Sequence, residues 1–199
     1  MIRLHVIAEG QTEQGFVKNV LAPHLAKFSV FADARCVLTS KDSRLNKAYR
    51  GGMTSYLKAK QDIQDWLKED KHPECRFTTM FDLYALPDNF PGYTEAMGFC
   101  DPYERIRILE ERLAEDTADR RFIPYIQLHE FEALILADPQ QLGQEYLEHD
   151  SQIQNLVKMV SGKNPELIND GPETAPSKRI LREIPEYKKQ RLARQLQKK

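Results

Sequence analysis

Ile2-Arg3-Leu4-His5-Val6-Ile7-Ala8-Glu9-Gly10-Gln11-Thr12-Glu13 opens the chain, and its reading decides the fold class. Leu4 to Ala8 is a short, mostly apolar run with β-branched residues, the pattern of a buried strand. The run stops at Glu9-Gly10, where glycine permits a tight exit, and Thr12 is a good N-cap for a following helix. A carboxylate at the C-terminal end of a first strand sits where open α/β sheets place their ligands. His5, in mid-strand, reads as a packed core or sheet-face residue.

Working outward, apolar residues at Phe16, Val17, Val20, Leu21 and Leu25 have helical spacing over residues 12–28, with Pro23 expected to kink the helix or mark its last turn. Val30 to Leu38 reads as a second strand. Thr39 to Gly52, polar and carrying Lys41, Arg44, Lys47 and Arg50, reads as an exposed, solvated loop. Met53 to Asp70 is a helix burying Tyr56, Leu57, Ile63, Trp66 and Leu67, ended by His72-Pro73. Trp66, Leu67, Ile63, Phe16 and Val20 are therefore core rather than a cofactor box. Arg76 to Tyr84 is a third strand, and residues 101–116 form an amphipathic helix with Asp101 as N-cap and Pro102 at its first position. Phe122 to Leu128 is a fourth strand, followed by a short helix over His129 to Ala137 that Asp138-Pro139 stops. Residues 153–160 read as a helix, 161–176 as a turn-rich loop, and Ser177 as the cap of a final basic helix broken at Pro185. The alternation of strand and helix predicts a mainly parallel four-stranded sheet covered on both faces. Residues 1–150 would form this α/β domain and 151–199 a helical and loop C-terminal extension.

Composition sets the bounds. A chain of 199 residues, 41% hydrophobic and 30% charged, has the make-up of a soluble globular protein, one domain or one domain with an appendage. No apolar run approaches the roughly 18 residues of a membrane helix, and no signal-peptide pattern opens the chain. Three widely spaced cysteines, Cys36, Cys75 and Cys100, with no CxxC pair, fit reduced thiols in the cytoplasm rather than a zinc cluster or a disulfide framework. The net charge of −1 is unevenly spread: Lys178 to Lys199 holds nine Lys/Arg and two Glu, a balance of +7 on a body of −8. Such a tail suits a polyanion or a solvated end.

Three strands end at acids: Glu9 after the first, Asp82 in the third, and Glu130 with Glu132 after the fourth. In a parallel sheet all C-terminal strand ends share one edge, so these carboxylates are expected to converge. Converging carboxylates repel, and a hard divalent cation relieves the repulsion while organising phosphate oxygens. The all-oxygen set suits Mg²⁺ or Mn²⁺ better than Zn²⁺. Each acid also has a plainer role: Glu13 and Glu130 stand in first turns of helices, where the macrodipole favours a carboxylate, and Asp82 can cap a turn. His129-Glu130 begins like HExxH, but residue 133 is Ala; Ser161-Gly162-Lys163-Asn164 lacks P-loop spacing, and no GxGxxG follows a strand.

Ala8-Glu9-Gly10-Gln11-Thr12-Glu13, Phe81-Asp82-Leu83-Tyr84 with Pro91-Gly92, the block Phe122 to Leu134 containing His129-Glu130-Phe131-Glu132-Ala133-Leu134, and Glu173-Thr174-Ala175-Pro176-Ser177-Lys178-Arg179 together resemble the bacterial family called domain of unknown function 4276. That family is grouped with TOPRIM-like proteins, which include topoisomerase and primase catalytic domains and nucleases of overcoming-lysogenization-defect type. The resemblance implies a TOPRIM-like three-layer sandwich with a Mg²⁺ site, in which Glu9 matches the first-strand glutamate and Asp82 the acidic motif of the later strand. This chain departs from the usual Asp-x-Asp at the second position, having Asp82-Leu83-Tyr84, so Glu130 or Glu132 must compensate or metal affinity falls. The motifs run to about Tyr187; beyond them Lys188 to Lys199 departs from the family pattern, as a truncated or divergent end.

Two functions are expected on this basis. The first is a Mg²⁺-dependent phosphodiester hydrolase acting on nucleic acid, DNA or RNA, in a bacterial defence or mobile-element setting. Glu9, Asp82 and Glu130 would hold metal, Glu132 would complete or orient the site, and Lys178 or Arg179 would stabilise phosphate charge. The second is a non-catalytic TOPRIM-like partner of an ATPase or nucleic-acid complex.

Overall fold

The computed structural model describes residues 1–42, 47–50, 53, 55–168 and 172–188. Strand β1 (Ile2–Ala8) is central, paired in parallel with β2 (Val30–Cys36) on one side and β5 (Cys75–Asp82) on the other. On its far edge β5 pairs, also in parallel, with β6 (Phe122–Ile123) and then β7 (Ile126–Gln127), giving the order β2-β1-β5-β6. The expected four-stranded parallel sheet is thus present, with its fourth strand in two pieces.

The break falls at Pro124, whose ring removes the ladder donor, and the sheet repairs it with a side chain. Thr79 Oγ1 donates to the Tyr125 carbonyl at 2.8 Å and accepts from the Tyr125 N–H at 2.9 Å. One buried hydroxyl therefore spans the gap and returns the chain to register, so that Gln127 lies opposite Asp82.

Helices cover both faces because inward side chains alternate along the strands. Ile7, Phe77 and Phe81 meet α3 (Tyr56–Glu69), α4 (Tyr93–Met97) and α5 (Pro102–Thr117) through Ile63, Trp66, Leu67, Leu109 and Leu113. Val6, Ala34 and Met80 face α6 (Glu132–Leu136), α7 (Asp150–Val160) and α8 (Pro176–Glu183) through Ile135, Leu136, Leu156 and Ile180. The result is an α/β three-layer sandwich, and Ile153, Leu156, Ile168, Ile180, Ile184 and Tyr187 share the second core with the strands. Trp66 is buried as expected, as are Ile63 and Leu67, while Phe16 and Val20 are half-buried.

Several local readings shift. The first helix begins at Gln11 with Gly10 as its extended N-cap, so Thr12 is already inside the helix. It runs as α1 (Gln11–Phe16), a π-helical turn (Val17–Leu21) and α2 (Ala22–Ala26). The wide turn precedes Pro23, which has no N–H for an ordinary helical bond. The segment read as an exposed loop contains an antiparallel hairpin, β3 (Leu38–Asp42) and β4 (Lys47–Arg50). Arg44 and Gly51-Gly52 in that segment, and residues 189–199 of the basic tail, lie outside the described residues. The reading of residues 101–117 holds in detail, with Asp101 Oδ1 accepting from the Tyr103 N–H at 2.9 Å and Pro102 opening the helix.

Candidate functional site: the carboxylate edge

Parallel pairing carries the C-terminal ends of β1, β5 and β7 to one edge. There the Glu9 N–H donates to the Met80 carbonyl at 3.1 Å, continuing the ladder one residue past β1. The Glu9 carboxylate turns across the neighbouring strand end and accepts from the Asp82 N–H, at 3.1 Å from Oε2. Glu9 and Asp82 are therefore brought together, Glu9 half-buried and Asp82 buried. Glu13 is buried in the first turn of α1, which leaves the same edge.

The other two predicted acids have partners in the C-terminal segment. Glu130 accepts from the Ser177 N–H at 3.0 Å, so its carboxylate sits on the first turn of α8. Glu132 is buried and accepts from the Tyr187 hydroxyl at 3.4 Å. Burial, with the nearby Glu132 carboxylate, holds the Tyr187 phenol well above its ordinary pKa. Lys178 is exposed, whereas Arg179 is used within the fold, donating from Nε to the Thr174 carbonyl at 2.7 Å.

His129, which sequence reading set aside with the failed HExxH pattern, belongs to this edge as well. It has a left-handed backbone, φ 64°, uncommon for a residue with a side chain. Its carbonyl accepts from the Tyr84 N–H at 3.2 Å, and the two rings lie 5.3 Å apart. Burial pushes its pKa below the ordinary histidine value, against the opposing pull of Glu130. Its Nδ1 is buried without a hydrogen-bond partner, which disfavours a second proton on the ring. Tyr84 is pushed up by burial and by Glu130, so it supplies no charged ligand near neutral pH.

The chemistry of this edge matches a hard cation in kind. Glu9 and Asp82 offer oxygen donors from adjacent strand ends, and Mg²⁺ commonly takes one or two carboxylates and fills the rest of its shell with water and phosphate oxygens. Among the described residues, however, the trio of ligand atoms within 4.8 Å of one another is His5, Asp70 and Cys75, not a set of these acids.

The motifs shared with the family have physical reasons. Gly92 has φ 75°, and a Cβ there would lie 2.6 Å from Arg112 Cγ, so the position requires glycine. In the His129 to Leu134 block, His129 makes the turn, Glu130 holds α8, Phe131 packs edge-on against Phe16 at 5.5 Å, and Glu132 meets Tyr187. The family described as Domain of unknown function (DUF4276) matches over residues 8–199. The chain belongs to that family. The match includes Glu9, Asp82 and the His129 block, and it continues past Tyr187 through the basic tail. The chain matches no curated protein and no solved structure. Among the described residues no helix is long and apolar enough to cross a membrane.

Proposed function

We propose that this protein is a Mg²⁺-dependent phosphodiester hydrolase of TOPRIM-like type acting on nucleic acid. One observation carries the reading: the Glu9 carboxylate and Asp82 meet at the C-terminal ends of two adjacent central strands, where parallel α/β sheets bind ligands. Glu9 and Asp82 would hold the cation. When bound, Mg²⁺ would polarise a phosphoryl oxygen and make a water more acidic. Glu9 is anchored on the Asp82 main chain, which fixes the direction of its carboxylate at the strand ends. His129, neutral and beside the same edge, is suited to hold or move a proton. Glu130 acts at one remove by holding the start of α8, so the exposed Lys178 can meet a phosphate while Arg179 keeps the preceding turn in place.

The alternative, a non-catalytic partner of an ATPase or nucleic-acid complex, draws support from the engagement of Glu130 and Glu132 with the C-terminal segment. Mg²⁺ titration of the purified chain, followed by cleavage assays on labelled DNA and RNA with Mg²⁺ and Mn²⁺, separates the two. The hydrolase reading expects Mg²⁺ binding and cleavage that Glu9→Gln abolishes, with nucleic-acid binding retained, because glutamine still accepts from the Asp82 N–H. Cleavage that survives Glu9→Gln, or no cleavage with either metal, sinks the hydrolase reading.

A further inference from the structure

At the opposite edge of the sheet a second donor group assembles from three elements. His5 lies mid-way along β1, Cys75 opens β5 across from Arg3, and Asp70 follows the end of α3. Asp70 Oδ2 is 2.9 Å from His5 Nε2, and Cys75 Sγ is 3.8 Å from the same nitrogen. The three ligand atoms all lie within 4.8 Å of one another. Cys75 is fully buried and His5 is 8% exposed, whereas 16% of the Asp70 side chain is open, leaving one approach from solvent. On the far side of the ring, Asp33 Oδ1 sits 2.6 Å from His5 Nδ1. That outer carboxylate accepts a hydrogen bond from the Nδ1 N–H and aims Nε2 inward, the arrangement that orients metal-bound imidazoles.

We propose that His5, Asp70 and Cys75 bind one Zn²⁺ through Nε2, a carboxylate oxygen and the thiolate. With Zn–N and Zn–O near 2.1 Å and Zn–S near 2.3 Å, tetrahedral donors stand roughly 3.4 to 3.7 Å apart. The nitrogen–sulfur separation already fits, and the nitrogen–oxygen contact opens by about half an ångström as the metal replaces the proton between them. On binding, the thiol proton and any proton on Nε2 leave to solvent, and three bonds to zinc form. The fourth position, on the open side of Asp70, takes water. One thiolate and one carboxylate neutralise the two charges of the ion, and Arg3 lies 3.1 Å from Asp70 Oδ2 at the rim of the group. The thiolate and imidazole select zinc over Mg²⁺.

The two sites are independent, since Cys75 and Asp82 stand at opposite ends of β5, roughly 23 Å apart at about 3.3 Å per residue. Metal-free full-length chain should bind one equivalent of Co²⁺ with thiolate-to-cobalt charge-transfer absorption, which Zn²⁺ displaces and excess Mg²⁺ does not. Cys75→Ser should abolish that absorption, whereas Cys36→Ser, Cys100→Ser and Glu9→Gln should keep it. Asp33→Asn should weaken zinc binding by about 10- to 100-fold, as loss of an outer-shell partner does. Where circular dichroism shows that Cys75→Ser does not fold, the parent chain and Asp33→Asn decide. Absence of charge-transfer absorption in the folded parent chain, persistence of it in Cys75→Ser, or unchanged zinc affinity in Asp33→Asn overturns the proposal. Retention in Glu9→Gln separates this site from the fate of the hydrolase reading.

Discussion

Replacing Thr79 with valine keeps the shape of the side chain and removes one hydroxyl. That hydroxyl is 1% exposed as part of its residue and holds both the N–H and the carbonyl of Tyr125, at 2.9 and 2.8 Å. Each backbone group deprived of its partner costs about 1–3 kcal/mol where water cannot replace it. Tyr125 is 39% exposed, so water recovers part of the loss, and the net cost should fall at about 2–3 kcal/mol. At about 2–4 °C per kcal/mol for a chain of this size, the melting temperature should drop by about 4–12 °C. Thr79→Ser keeps both bonds and loses only a methyl, for about 1 kcal/mol. Thermal unfolding followed by circular dichroism compares the three proteins under one scan rate. Hydrogen exchange adds a local readout, because Thr79→Val should speed exchange of the amides of β7, which pairs Gln127 with Asp82. If Ser costs as much as Val, the side chain acts by packing, and the account of how the sheet bridges Pro124 is wrong.

Three further outcomes are expected. Trp66→Ala should cost about 3–5 kcal/mol in denaturant unfolding, since the indole is 3% exposed and meets His5 and Phe77; a cost under about 1 kcal/mol would contradict its place in the core. Asp101→Ala should cost about 1 kcal/mol by removing the acceptor of the Tyr103 N–H at the start of α5, and an unchanged midpoint would refute the cap. Burial raises the pKa of Glu110 although its carboxylate accepts from the Ile126 N–H at 2.8 Å. A folded pKa above the unfolded one means that ionisation costs the native state at neutral pH, and the cost disappears below about pH 4. Glu110→Gln, which keeps an acceptor, should therefore raise the melting temperature at pH 7 and lose that advantage in acid; destabilisation at pH 7 would refute the sign.

Local chemistry carried the larger elements. An apolar β-branched run ending at Glu9, the helical spacing of Ile63, Trp66 and Leu67, and the Asp101-Pro102 start are written in neighbouring residues, and each took its expected form. The layering followed because strands separated by helices must pair in parallel and cover both faces. The shared edge of Glu9 and Asp82 also followed, since parallel register alone carries both strand ends to the same side. What each carboxylate does there was decided by contacts across long separations. Ser177 lies 47 residues from Glu130, and Tyr187 lies 55 from Glu132; no spacing pattern announces such pairs. The clamp of Thr79 on Tyr125, 46 residues away, escapes sequence for the same reason. So does the group of His5, Asp70 and Cys75, whose members read separately as a sheet-face histidine, the last residue of a helix and a lone thiol. Sequence periodicity reports which side of a local element is buried, while the chemistry of a site depends on which distant elements the burial forces together.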